Sequence, residues 1–520
     1  MRHGAVAAAD MDADVLIIGS GAGGGTFARA LADSGLRILV LERGDYLTRE
    51  KANWSAEAVF HEHRYHTGED WRDAVGKAFR PVTGYHVGGN TKLYGAAVLR
   101  RRVSDFRRRR YPEGETPDWP ISYEDLRPYY DQAEVWYHCH GQTGLDPCEP
   151  PRAEYPCPPF AHEPYLAEVA AALRARGLHP FPLPLAIHRN EAEPRLAPCI
   201  RCDTCDGFPC LLHAKGDAEV CGIGPALAAS RVTLLTGIRV RRLLTGPDGR
   251  RVVAVEADTP SGPRSYSARL VVLAAGAVNS AALLLASRQP AWPQGLANAH
   301  GMAGRHYMCH RNSVCVAVDP RRRNPTVFQK TIGINDFYED SGDADFPYAL
   351  GHVQNLGKLT PEILEAQKNL WPEELARLVA HHSLDWWLTT EDLPDANNRV
   401  QVDDDGAIRL IYAPNNVATH ERLLAKWKAI LRQLGYPLVH SQTMGIEAVA
   451  HQAGTLRFGP DPASSVLDVN CRAHGVDNLY VVDASFMPSI AAVNPSLTVM
   501  ANALRVAAHV RARFAAGLSP

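Results

Sequence analysis

Asp14–Ile18 (DVLII) is an apolar run rich in β-branched side chains, and Gly19, Gly21 and Gly24 follow it at once in the stretch GSGAGG. Thr26–Ser34 then reads as a helix, and Arg37–Leu41 (RILVL) as a second buried strand that runs into Glu42. Strand, glycine turn, helix, strand and acid in this order make a complete βαβ unit. The two strands must lie parallel with a right-handed crossover, which commits this part of the chain to an α/β architecture. Each glycine has a separate reason. Gly19 permits the tight turn, Gly21 lets backbone approach a pyrophosphate, and Gly24 allows close packing of helix on strand. A pyrophosphate then meets the helix N-terminus, where unpaired N–H groups and the dipole favour negative charge. Glu42 lies 18 residues after Gly24, placed to accept hydrogen bonds from an adenosine ribose. The alternative is a plain glycine turn with no ligand.

The rest of the chain has to be built around that unit. At 520 residues and 46% hydrophobic composition it is too long for one simple core, so two structural regions are expected. Val232–Ala257 reads as strands around a GPDGR turn, and Leu270–Ala275 as a buried strand followed by Gly276 and a helix through Ser287. Between Gln329 and Leu438, polar strands mix with an amphipathic helix over Thr419–Gly435. Leu479–Val482 reads as a strand and Ser496–Arg513 as an Ala-rich helix. The expected fold is therefore a Rossmann-like domain assembled from separated pieces (residues 1–130, 195–300 and 450–520). A second, sheet-rich domain and its excursions would come from residues 131–194 and 301–449.

Charge narrows the partners. Lys plus Arg number 55 against 57 Asp plus Glu, a net charge of −2, which gives no general pull toward nucleic acid or anionic lipid. The Arg-rich stretches at Arg100–Arg102 and Arg107–Arg110 read as solvated loops. No apolar run reaches the roughly 18–20 residues needed to span a bilayer, and the apolar stretch within Met1–Asp12 is too short for a signal sequence. A cytoplasmic protein with no membrane partner is expected.

Read as a set, the motifs resemble the glucose–methanol–choline oxidoreductases nearly end to end. The resemblance rests on GSGAGGG at Gly19–Gly25, GYHVGGNTKLYGAAVLR at Gly84–Arg100 and PDWPISYEDL at Pro117–Leu126. It continues through LAAGAVNSAALLLAS at Leu273–Ser287, EDLPDANNRV at Glu391–Val400, HQAGTLRFG at His451–Gly459 and the closing stretch Leu479–Ala507. It implies FAD, with Gly88, Gly89 and Asn90 along the pyrophosphate and flavin ring, and with Val240 offering backbone to the adenine. Ala275 and Gly276 would close over the cofactor, Asp483 and Ala484 would hold the ribityl–phosphate region, and Pro495 would lie beside it. Some relatives attach FAD covalently to a His in a Ser-Thr-His-Trp stretch. The matching residues here are Thr91-Lys92-Leu93-Tyr94, and leucine forms no such bond, so non-covalent FAD is predicted.

The same resemblance implies the chemistry. His451, in His-x-x-Gly-Thr, matches the family's catalytic base, and Asn494, in NPSLT, matches the second active-site position. Imidazole suits proton removal from a hydroxyl because its ordinary pKa is about 6.5. An amide suits holding the substrate oxygen without competing for the proton. The branch resemblance, through GYHVGGNTKLYGAA, GRHYMCH at Gly304–His310 and Asn494, points to oxidation of a secondary hydroxyl (C2 or C3) of a pyranose or glycoside to a ketone, with oxygen or a quinone as electron acceptor. A dehydrogenase feeding a partner and a lyase with non-redox FAD remain as alternatives. Gln329, Lys330 and Gln354 are candidate hydrogen-bonding residues for sugar hydroxyls. Trp386 and Trp387 are either a stacking platform or core and rim. Cys199, Cys202, Cys205 and Cys210 have a spacing open to an iron–sulfur cluster or zinc, but free thiols or a local disulfide fit as well.

Overall fold

The computed structural model describes residues 12–190, 192–193, 195, 197–366, 372–448 and 450–517. Apart from Asp12, the stretch read above as too short for a signal sequence lies outside these residues. A five-stranded sheet runs in the spatial order Val232–Leu235, Ile38–Leu41, Ala13–Ile18, Ala268–Leu273 and Leu479–Val481. Every pairing is parallel, with Val15 opposite both Ile38 and Leu270. Four separated stretches of chain therefore meet in one sheet. Its central strands are apolar at nearly every position because both faces are covered, which explains continuous runs such as ILVL where an alternating pattern would mark a half-exposed sheet. The first helix, Ala22–Leu31, begins directly after Gly21, four residues before the start read from sequence, and packs on the C-terminal helix Ser496–Ala515. The segment after Val232–Leu235 forms an antiparallel ribbon of Arg239–Thr245, Val252–Thr259 and Gly262–Tyr266, with the GPDGR turn between its first two strands.

A second, six-stranded sheet has the order Leu438–Thr443, Arg311–Val318, Ser383–Thr390, His352–Asn355, Ile332–Ile334 and Phe181–Pro182, antiparallel throughout. The amphipathic helix Val417–Gln433 backs it. Leu423, Trp427 and Leu431, four residues apart, are fully buried against the sheet. Trp386 points into this layer and meets Trp427 edge-on, ring centroids 4.7 Å apart. The neighbouring Trp387 points the other way, as the period of two in a strand requires. Cys315 and Ala317 face the core on the adjacent strand, while Val314 and Val316 face away. The sheet is therefore packed on one face, and its other face looks onto a cavity. Among the described residues no helix is long and apolar enough to cross a membrane.

Candidate functional site

That cavity, of about 1370 Å³, lies between the free face of the antiparallel sheet and the glycine turn of the parallel one. Part of its wall is a cradle of backbone. Gly19 has φ +101°, and any Cβ there would overlap the carbonyl of Ala274. A Cβ at Gly24 would overlap the carbonyl of Gly19, so Gly24 serves helix–strand packing. Gly21 is different. Its φ of −68° suits any residue, and a Cβ there would find its nearest protein atom 3.8 Å away, yet it lines the cavity as the N-cap of the first helix. Gly276 likewise lines the cavity, and a Cβ there meets nothing within 4 Å. The protein interior does not demand glycine's lack of a side chain at 21; a ligand lying on the backbone does.

Glu42 is buried and holds the turn. It accepts from the Ser20 backbone N–H at 3.0 Å and hydroxyl at 2.5 Å, and from the Gly44 N–H at 2.9 Å. Ser20 in turn accepts from the Gly88 N–H at 3.1 Å, which ties the first glycine loop to the second. Gly88 and Gly89 both have positive φ, and Gly89 packs on Gly21; Asn90 uses its side-chain oxygen to accept from the Gly84 N–H. Asp483 is buried, accepts from the Gly276 N–H at 3.1 Å and from the hydroxyls of Ser280 and Ser485, and burial raises its carboxyl above the usual range. Val240, Ala275, Ala484 and Pro495 complete this wall. Gly24 and Gly88 are one layer back, supporting it. A cavity of this size with a glycine-cradled helix N-terminus in its wall fits a dinucleotide. Leu93 lines the same cavity.

His451 and Asn494 line the same cavity, together with Lys330, Gln354 and Trp387. Burial, reinforced by the nearby Lys330 cation, pushes the His451 imidazolium pKa down to about 4, so the ring is neutral at physiological pH. Lys330 pairs with Asp206 at 2.7 Å. The cation holds the buried Asp206 carboxyl below its usual range, and the pair sits against Gly95.

One sequence expectation is corrected here, and one open reading is resolved. Gln329 is not a cavity residue: it is 1% exposed, and its amide donates to Asp385 at 3.0 Å and receives a bond from Asn324, so it braces the sheet. Trp386 is core, and only Trp387 reaches the cavity. The four clustered cysteines are free thiols, and among the described residues no three His, Cys, Asp or Glu side chains converge as a metal site. Burial lifts the Cys205 thiol to about 12. What the Cys-rich loop does bring to the cavity is Asp203 and Asp206, which no spacing rule singled out. His310 was missed as well. It is buried beneath His451 and lies in GRHYMCH, a stretch read above for its resemblance and not for its histidine.

Comparison with known proteins adds the following. Two family models described as GMC oxidoreductase match residues 4–291 and 396–503. The 6'''-hydroxyparomomycin C oxidase of Streptomyces lividus is 32% identical over 98% of this chain and 93% of its own length. The paromamine 6'-oxidase of Streptomyces fradiae is 32% identical over 95% of this chain and 90% of its own length. Pyridoxine 4-oxidase from Mesorbium loti superposes with a TM-score of 0.67 over 96% of this chain and 99% of its own, at 20% identity.

Proposed function

The chain belongs to the GMC oxidoreductases, FAD enzymes acting on CH–OH groups, and from that membership we propose that it oxidises a hydroxyl carbon of a pyranose sugar or glycoside, with His451 as the base. When bound, FAD supplies the hydride acceptor. The glycine cradle would hold its pyrophosphate, and Glu42 and Asp483 would hold the surrounding loops in place. His451 takes the hydroxyl proton on a ring nitrogen while the Asn494 amide holds the substrate oxygen. Trp387 offers a flat apolar surface for a sugar ring, and Gln354 and Lys330 offer donors to its other hydroxyls. The observation that carries this reading is that His451 and Asn494 line the same cavity as the glycine cradle.

The branch resemblance favours a secondary hydroxyl at C2 or C3, giving a ketone. A second reading, oxidation at a 6' or 6''' position of an aminoglycoside, is favoured by the names of the two Streptomyces relatives. The test is an anaerobic stopped-flow screen of free sugars, amino sugars, O-glycosides and C-glycosides, watching the flavin band, with product carbons assigned by NMR. Bleaching by sugars or glycosides is expected. Bleaching only by choline or simple aliphatic alcohols would overturn the sugar reading, and an unbleached flavin beside a cleaved product would mark a lyase. Peroxide release under air separates an oxidase from a dehydrogenase that requires a quinone.

A further inference from the structure

His451 does not stand alone. Its Nδ1 lies 2.8 Å from Nδ1 of His310, with the ring planes at 85° and the centroids 4.9 Å apart. The other nitrogen of His310, Nε2, lies 2.8 Å from the carbonyl oxygen of Ala491. That carbonyl is firmly placed. Ala491 has a positive φ of 58°, and its own N–H donates to the buried Glu391 carboxylate at 2.6 Å, which also accepts from the Tyr111 hydroxyl at 2.9 Å.

These contacts leave one consistent arrangement of protons. A carbonyl oxygen only accepts, and the backbone partners of His310, Ala491 and the adjacent Ile490, both take hydrogen from it, so His310 carries its hydrogen on Nε2, the nitrogen 2.8 Å from Ala491. His310 is 2% exposed and faces His451, with Arg101 also nearby, and burial keeps it neutral; its Nδ1 therefore holds a lone pair. Two Nδ1 atoms at 2.8 Å share a single hydrogen, which must belong to His451. Nε2 of His451 is then unprotonated, and among the described residues nothing bonds to it. The groups facing His451 from other elements are Lys330 and Asp206, and neither claims that nitrogen.

We infer that His310 is a positioning residue that fixes the tautomer of His451, so that an unprotonated Nε2 meets the substrate hydroxyl. This rests on the reading of His451 as the base. As the substrate O–H bond breaks and the Nε2–H bond forms, the hydrogen on His451 Nδ1 stays there, still donated to Nδ1 of His310. The lone pair of the neutral second ring then supports the new imidazolium, and no proton passes between the two histidines. In most enzymes that use this logic a carboxylate or a backbone carbonyl orients the base. Here a second imidazole does so, and its own orientation is set by a strained peptide.

Two measurements on the holoenzyme test the inference. With ¹⁵N-labelled histidine, the His451 signal, identified by its loss in His451→Ala, is expected to report hydrogen on Nδ1 and none on Nε2. Hydrogen on Nε2 would overturn the inference. In stopped flow, His310→Phe removes the acceptor and is expected to lower the limiting rate of flavin bleaching about 10²-fold, inside the range of general-base effects, with the substrate dissociation constant within about threefold of wild type. His310→Asn keeps an acceptor at the Nδ1 position and is expected to recover to within about tenfold of wild type. An unchanged rate in His310→Phe would overturn the inference, as would an Asn variant no faster than the Phe variant. Should His310→Phe fail to fold, the wild-type tautomer and the Asn variant still decide. Flavin reduction at the wild-type rate in His451→Ala would instead overturn the base reading, and the NMR result would still decide the tautomer.

Discussion

Gly21→Ala separates what the fold needs from what the cofactor needs. At φ −68° the new methyl is unstrained, and its nearest protein neighbour is 3.8 Å away, an ordinary contact. Losing glycine at an N-cap costs up to about 1 kcal/mol, and the stiffer unfolded chain returns about 0.4–1 kcal/mol. The apoprotein should therefore change by under about 1 kcal/mol, roughly 3 °C or less in melting temperature. The methyl does project into the cavity, where a pyrophosphate would lie. Overpacking of about 1–3 kcal/mol corresponds to FAD bound roughly 5- to 150-fold more weakly. Gly24→Ala is the opposite case. Its methyl overlaps the Gly19 carbonyl, backbone that cannot move aside, so the apoprotein itself should lose about 3 kcal/mol or more. Thermal melts of the flavin-free proteins give the first quantity, and quenching of FAD fluorescence gives the second. The reasoning is refuted if apo Gly21→Ala melts as low as apo Gly24→Ala, or if Gly21→Ala binds FAD with wild-type affinity.

Four further outcomes are expected. His451 titrates at about 4, so its base form is complete at neutral pH; the limiting rate of flavin bleaching should stay level down to about pH 5 and fall tenfold per unit below about pH 4. A break near pH 6.5 would contradict this, and Lys330→Met, which removes a nearby cation, should move the break upward. Because Leu93 occupies the covalent-attachment position, acid precipitation should leave the yellow flavin in the supernatant; a yellow pellet would show a covalent link. Buried His306, His352 and His420 titrate at about 3 in the folded protein, so below pH 6.5 the unfolded chain binds more protons and stability falls by about 1.4 kcal/mol per pH unit for each, as urea melts at pH 7 and pH 5 would register. Trp427→Ala empties the space against Trp386 and should cost about 3–5 kcal/mol in the same melts, while a loss below 1 kcal/mol would mean the helix is not anchored there.

The legible parts of this chain were those governed by short-range rules. Asp14–Glu42 announced its sheet, turn and helix because each step depends on neighbours in sequence. The helix at Val417–Gln433 announced itself through an apolar stripe every three to four residues. The short stretch Val232–Leu235 was read as part of a hairpin, but it leaves the ribbon to become the outer strand of the parallel sheet, a choice made by a partner nearly 200 residues away. Polar residues in apolar surroundings were the least readable. Gln329 and Lys330 are adjacent and both buried, yet one braces the sheet and the other lines the cavity. His310 gave no signal of its own, because its role depends on Ala491 and His451 arriving from the far end of the chain.

The alternation that separates Trp386 from Trp387 extends across the antiparallel sheet. Asn312, Val314, Val316, Gln354, Trp387 and Gln442 all stand on the cavity side, and the residues between them carry the packing. Such a sheet works as a panel with an independently replaceable surface. Natural drift or a designed library could redraw substrate preference at Val314, Val316, Trp387 and Gln442, while Asn312 and Gln354, bonded to the His310 carbonyl and to His352, hold the layer beneath in shape.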